Sequence, residues 1–457
     1  MKPLLFAALL LGPVAAFAQT PASLTGDWRG SLGGLAFTAH LQDPAGGPRT
    51  ATLDIPAQKA AGLPLKFTLK ADSVYLDLAV VHARFAGRRA ADGQALVGEW
   101  QQGGQALPLI FSRVAADGTV AGPQRPQTPH APFPYQSQDV TFRNEAAGVT
   151  LAGTLTEPAG KGPFPAVVLL TGSGPEDRDE MLFDHKPFAV LADYLTRRGV
   201  AVLRFDDRGV GQSTGTLAGT TSADYAADAR AALAWLRARP DIINKHVGLL
   251  GHSQGGTAAL LAAAQPQGPG PDFVVLLAAP GLPGDEIMVQ QAVAQTHLRT
   301  QDPTALAAAE QRQREVLATI TQNPDNAQAR AKMLPLLAAA GTSGPAAERT
   351  VAQMTTPDYR AILADRPAQM LAQVHCPVLA LNGSKDVQVV AAPNLAAIRQ
   401  GLQAANNRDV TVRELPGLNH LFQTAATGSP SEYATLEETY SPTLLQAVGD
   451  WVVRHGK

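Results

Sequence analysis

Five residues, Gly251-His252-Ser253-Gln254-Gly255, stand between the apolar run VGLLGH (247–252) and the apolar run TAALLAAA (257–264). A serine on so sharp a strand-to-helix turn is lifted clear of the sheet, and small neighbours are needed because the backbone there is strained and a Cβ at Gly251 or Gly255 would collide with adjacent elements. The string alone arises by chance in glycine-rich chains; its flanks give it weight. A serine hydroxyl is a poor nucleophile unless a base takes its proton and a carboxylate orients that base. In the chain order serine, acid, histidine, the acid is Asp386, three residues past PVLALNG (377–383), and the base is His420 in LPGLNHLF, after DVTVREL (409–415). Other histidines lack that placement: His252 is inside the elbow, His40, His82 and His130 come too early, and His455 ends the chain. Glu432, Glu437 and Glu438 follow His420 and so break the order.

Attack on a carbonyl also creates an oxyanion that two amide donors must stabilise. The N–H of Gln254 is one. The glycine-rich loop Thr171-Gly172-Ser173-Gly174 supplies the other, from Ser173 with Gly172 as the alternative; a plain strand-ending turn is the blander reading. The charged strings Glu176-Asp177-Arg178-Asp179 and Asp206-Asp207-Arg208 are expected to brace two loops by mutual salt bridges rather than to touch substrate. The chain has no HExxH, paired CxxC, Walker or dinucleotide glycine pattern. Catalysis of this kind calls for no cofactor and no metal.

The elements that must position these groups follow from the apolar pattern. Short Val- and Leu-rich runs at 165–172, 200–206, 247–252, 273–280, 377–383 and 409–415 read as parallel strands buried on both faces, with helical stretches between them. An antiparallel hairpin at 139–144 and 149–157 begins this doubly wound α/β sheet, an α/β-hydrolase arrangement over 137–457. From Pro280 to Val374 the connection is far too long for an ordinary crossover and rich in Ala, Gln, Leu and Arg, which predicts a helical cap over about 284–370. Upstream, residues 19–120 read as a small antiparallel β domain, a barrel or sandwich, with Leu65, Phe67 and Leu69 and then Val74, Leu76 and Leu78 at alternate positions. Residues 121–136 carry five prolines and no apolar period, the pattern of an extended linker.

At the N-terminus, Lys2, an apolar run from Leu4 to Phe17 and small residues at Ala16 and Ala18 read as a secretory signal, residues 1–18. The run is shorter than the ~20 apolar residues a membrane span needs. The mature chain is therefore expected in the periplasm or outside the cell, without a membrane anchor. A net charge of −2 over 457 residues gives no basic stripe for nucleic acid. Cys376 is the only cysteine, so no internal disulfide can form.

The strings GDWRGSL, TGSGPEDRDE, DHKPFAVLADYLTRRGVAVLRFDDRGVGQSTG, GLLGHSQGG and LPGLNHLFQTAATG, followed by EYATLEETYSP, resemble bacterial exported α/β-hydrolase esterases that carry an N-terminal β domain and a helical cap. The resemblance implies a carboxylesterase acting on short-chain acyl esters through Ser253, Asp386 and His420. SKDVQVV differs from the family, which commonly has a proline after the valine, a departure that leaves the acid in place. The same triad could serve an acyl thioesterase or an amidase or exopeptidase, since fold does not fix the leaving group. A reading of another class makes the β domain an envelope- or glycan-binding module, with Trp28 and Trp100 stacking on sugar, although tryptophans of a small barrel are more often core.

Overall fold

The computed structural model describes residues 23–456, except 33–34, 45–46, 91–92, 103–104, 122 and 266–269. The expected signal segment, 1–18, and the glycine pairs at 33–34 and 103–104 lie outside the described residues. The chain divides into two compact units, 1–122 and 123–457.

In the first unit the strands are β1 (Gly26–Leu32), β2 (Leu35–Gln42), β3 (Thr50–Ile55), β4 (Ala60–Lys70), β5 (Ser73–Leu78), β6 (Ala83–Arg89), β7 (Ala95–Gln102), β8 (Gln105–Val114) and the short β9 (Val120–Ala121). Each pairs antiparallel with the next, and β1 also pairs with β8 through Trp28–Arg113 and Arg29–Ser112, so the sheet closes into a barrel. Closure leaves no free edge between β1 and β8. The alternation read from β4 and β5 fills the interior, where Phe67 lies opposite Leu76 and Leu69 opposite Val74. Trp28 and Trp100 do not serve as exposed sugar platforms. They are 0% and 3% exposed within the barrel core, and their indole N–H groups donate to the Leu24 carbonyl and the Gln102 side chain. Burying so large a ring stabilises a small barrel more than its exposure would, provided the N–H finds an acceptor.

The second unit opens with 123–135, which runs without helix or strand but is fastened down. Arg125 donates to the carbonyls of Phe183, Ala434 and Leu436, and Gln127 both donates to the Tyr440 carbonyl and accepts from Thr439 N–H. Then come β10 (Gln136–Asn144), β11 (Val149–Glu157), β12 (Phe164–Leu170), α1 (Pro187–Thr196), β13 (Ala201–Phe205), α2 (Ser222–Arg237), β14 (Ile242–His252), α3 (Gln254–Ala264) and β15 (Val274–Leu277). Six helices follow: α4 (Gly284–His297), α5 (Pro303–Gln322), α6 (Asn326–Ala339), α7 (Gly344–Met354), α8 (Pro357–Ala364) and α9 (Pro367–Leu371). The chain ends with β16 (Val378–Gly383), α10 (Ala391–Ala404), β17 (Val410–Leu415) and α11 (Pro442–His455).

Strand order is β10-β11-β13-β12-β14-β15-β16-β17, antiparallel for the first two pairings and parallel thereafter. This is the α/β-hydrolase fold. Period-two alternation sends Ala166, Val168 and Leu170 of β12 into the core shared with α2, α3 and α10, and Val167 and Leu169 into the core shared with α1 and α11. Each Val or Leu so buried contributes about 1.5–3 kcal/mol. The five helices α4–α8 together carry a separate apolar core around Val289, Val316, Ile320, Met333, Val351 and Leu363. Asp302, Asp325 and Thr356 cap α5, α6 and α8 by accepting backbone N–H groups. By contrast α9 sends Met370 and Leu371 into the core of the sheet, so the cap ends with α8.

Candidate active site

The carboxyl ends of β12, β14, β16 and β17 lead into the four loops that carry the chemistry. After β14, Ser253 has φ 51° and ψ −119°, a conformation that costs a non-glycine residue on the order of 1–3 kcal/mol. It is held by its own N–H, which donates to the Leu277 carbonyl at 2.8 Å, and by its carbonyl, which accepts from Gly256 at 2.9 Å. The glycines permit the turn. A Cβ on Gly251 would strike the Gly255 carbonyl, and one on Gly255 would strike the carbonyls of Leu170 and Thr171.

His420, 4% exposed, lies in the loop after β17 with Nδ1 2.7 Å from Asp386 Oδ2. Asp386 Oδ1 accepts the N–H groups of Gln388 at 2.8 Å and Val389 at 2.9 Å. Next to His420, buried Asn419 accepts from Gln423 N–H, and the buried Gln423 amide contacts His185 and the carbonyl of half-buried Glu438. The fallback acids are engaged elsewhere: Glu432 with Thr427 and Gly428, Glu437 with Gln124, and Glu438 with Thr424.

Of the donors weighed for an oxyanion, Gln254 opens α3, where the first N–H groups have no acceptor within the helix. In the loop after β12 the Gly172 N–H is already committed, donating to Glu180 Oε1 at 2.7 Å. Ser173 is exposed and lines the same cavity as Ser253 and Gln254. Of the two arginines expected to brace the loops, Arg178 reaches the other loop and Arg208 pairs instead with α2. Arg178 forks onto Asp206 at 2.9 and 2.8 Å, and Arg208 forks onto Asp228 at 2.8 Å twice. Asp207 accepts from the Thr171 hydroxyl and the Glu176 N–H, tying the two loops together.

The cavity holds about 340 Å³ and is roofed by Ile287 and Met288 of α4 and by Asp358, Tyr359 and Ile362 of α8. Its far wall is polar: the Gln254 amide donates to Ser222 Oγ at 3.3 Å and Asp358 Oδ1 at 3.2 Å, while Ser222 donates to Asp365 Oδ2 at 3.0 Å. Burial pushes the Asp358 carboxyl up, against the Gln254 bond. Burial also pushes Asp365 up to about 6, with Asp358 adding repulsion and Ser222 and Arg366 opposing it.

Two groups beside the nucleophile carry a role the sequence reading did not give them. His252 Nδ1 lies 2.8 Å from Glu180 Oε1, and its Nε2 lies 3.1 Å from the His420 carbonyl oxygen. Glu180 has a φ of 52° and is buried. The only signal for it was its place in TGSGPEDRDE.

Residues 147–409 match the model of the X-Pro dipeptidyl-peptidase (S15) family. Esterase EstD of Thermotoga maritima is 35% identical over 160 residues, which cover 35% of this chain and 36% of that protein, so the match spans about a third of that relative. Among solved structures, the α/β hydrolase GrgF from Penicillium sp. sh18 is similar with a TM-score of 0.41 and 19% identity, covering 70% of this chain and 99% of that one. An esterase of Pyrococcus furiosus is similar with a TM-score of 0.42 and 15% identity, covering 71% and 92%.

Proposed function

Because this chain belongs to the X-Pro dipeptidyl-peptidase (S15) family, we propose that it is a serine hydrolase that cleaves short-chain carboxylic esters through an acyl-Ser253 intermediate. The observation that carries the reading is the strained Ser253 at the head of α3, with the His420–Asp386 pair at 2.7 Å in the neighbouring loops. Ser253 Oγ attacks the ester carbonyl carbon while His420 Nε2 takes its proton. Asp386, fixed by two backbone donors, holds the imidazole through Nδ1. The N–H groups of Gln254 and Ser173 face the oxyanion, Gly172 being spent on Glu180. The intermediate collapses as His420 returns the proton to the departing alcohol oxygen; water, activated by the same histidine, then releases the acid and frees Ser253. Apolar side chains of α4 and α8 suit a short acyl chain in a cavity of about 340 Å³. The N-terminal pattern Lys2, Leu4–Phe17 and Ala16-x-Ala18 supports export to the periplasm or beyond.

Ser253→Ala should lower turnover of p-nitrophenyl acetate by about a millionfold while leaving the thermal transition in place. Turnover at the parental rate would end this reading. A specific observation favours a second one, aminoacyl amide or peptide hydrolysis: Asp358 and Asp365 place two carboxylates in the cavity wall, chemistry that suits a free N-terminal ammonium. Comparing acyl esters, acyl thioesters and dipeptidyl amides side by side separates the two, since the favoured leaving group shows as the highest kcat/KM.

A further inference from the structure

Next to the nucleophile lies a pair of groups that the acyl-transfer steps do not use. His252 is 4% exposed, and each of its ring nitrogens faces an acceptor. Nδ1 is 2.8 Å from Glu180 Oε1 and Nε2 is 3.1 Å from the His420 carbonyl oxygen. A peptide carbonyl can only accept. In its carboxylate form Glu180 Oε1 accepts as well, and the Gly172 N–H donates to it at 2.7 Å. A neutral imidazole has one N–H and one lone pair, so it can serve one of these acceptors and must set its lone pair against the other. Serving both requires two N–H groups.

We propose that His252 is an imidazolium, paired with the Glu180 carboxylate, and that this buried pair is the positioning device joining three catalytic loops. Through Glu180 it grips the Gly172 loop that carries the oxyanion donor. Through its own main chain it is the residue before Ser253. Through Nε2–H it holds the main chain of His420, whose ring centroid is 4.9 Å from its own. The proposal rests on the assignment of Ser253 and His420 as nucleophile and base. Neither His252 nor Glu180 touches the reacting atoms; they act through the groups they hold.

The electrostatics of the surroundings agree with the geometry. Burial works against a charge on His252, but attraction and hydrogen bonding from Glu180, then the His420 carbonyl and the Asp386 charge, outweigh it and raise its pKa. The other acids that face Glu180 do not compete for the imidazolium. Burial first, and repulsion from Glu180 among other carboxylates, push Glu176 well up and Asp207 up to about 8, toward their protonated forms. Tyr440, fully enclosed, is likewise driven up by burial and by Glu180, and stays neutral.

A spectrum and a variant test this together. In protein labelled with 15N-histidine, with the His252 resonance assigned by its loss in His252→Asn, the ring should keep two N–H groups at a pH above the ordinary histidine value of about 6.5, where a free imidazole has lost one. Glu180→Gln keeps an oxygen for the Gly172 N–H but not the charge. Its His252 ring should become neutral with one N–H, and kcat should fall by about 10- to 100-fold with KM changed less than about twofold, because the displaced loops carry the reacting groups while the α4 and α8 walls of the cavity stay in place. A neutral His252 in the parent protein at that pH overturns the ion pair, and it does so even if Glu180→Gln fails to fold. A parental kcat in a folded, neutral-ring Glu180→Gln protein overturns the positioning role. If Ser253→Ala kept its activity, the acyl-enzyme reading would fall instead, while the spectrum would still decide the charge on His252.

Discussion

Replacing Arg208 by leucine tests how much of the scaffold beneath the site depends on one buried fork. The Arg208 side chain is 9% exposed and that of Asp228 is 1% exposed. Nε donates to Asp228 Oδ2 and Nη2 to Oδ1, both at 2.8 Å, and Asn144 Nδ2 adds a third donor at 2.7 Å. Arg208→Leu leaves the carboxylate enclosed with a single neutral donor. Breaking a buried pair from one side costs about 3–5 kcal/mol, because the remaining charge has lost its partner but cannot regain water. Replacing both members, Arg208→Leu with Asp228→Leu, removes that charge. The double variant should return to within about 1–2 kcal/mol of the parent, the residue of the loss being the Asn144 amide left without an acceptor. Urea titration supported by calorimetry measures this, with the transition of the hydrolase unit resolved from that of the barrel, since two compact units need not unfold together. An Arg208→Leu protein destabilised by less than about 1 kcal/mol would refute the reasoning. So would a double variant no more stable than the single one.

Two further outcomes follow from groups near the nucleophile. Burial pushes the Asp207 carboxyl up to about 8 in the folded chain, against an unfolded value of about 3.9. A raised folded pKa contributes stability that is fully present below about pH 4 and lost as pH rises through about 8, so Asp207→Asn should flatten the fall in Tm across that interval; an unchanged slope would count against it. Gln388→Pro deletes one of the two backbone donors to Asp386 Oδ1 but keeps Val389 N–H and His420 on the carboxylate. Two of the carboxylate's three partners remain, so kcat/KM should drop by less than about tenfold, about one hydrogen bond to a charged group; a loss of a thousandfold would show that the Gln388 side chain, which donates to the Tyr433 hydroxyl, matters more than its N–H.

The parts legible in the sequence are those written in local pattern. Fully buried parallel strands need unbroken Val and Leu runs, so β12, β13, β15, β16 and β17 lie close to where the runs stand, and the elbow is marked by glycines that its close carbonyl contacts demand. The beginning of β14 was not legible, because Asn244 and Lys245 interrupt the apolar run where the strand projects past the core. The Pro-rich stretch showed no element, and 123–135 has none, but its anchoring by Arg125 and Gln127 depends on carbonyls hundreds of residues ahead. Glu180 was hidden for the same reason: its partner His252 is 72 positions away. Composition could not decide whether Trp28 and Trp100 point in or out, since a barrel strand presents aromatic residues equally well to either face; the β1–β8 closure decides it.

The cap's own apolar core has a consequence for how such a chain can change its diet. Val316, Ile320, Met333 and Val351 pack on one another and not on the sheet, whereas the substrate-facing Ile287, Met288, Tyr359 and Ile362 sit on the two helices at its margin, α4 and α8. Met288 and Tyr359 also pack against that core, so alterations at Ile287 and Ile362, which do not, reshape the cavity with less disturbance to the helices' mutual support. Substrate range and chemical competence are thereby stored in separately adjustable parts, and an ancestral lineage could retune the first many times while inheriting the second unaltered.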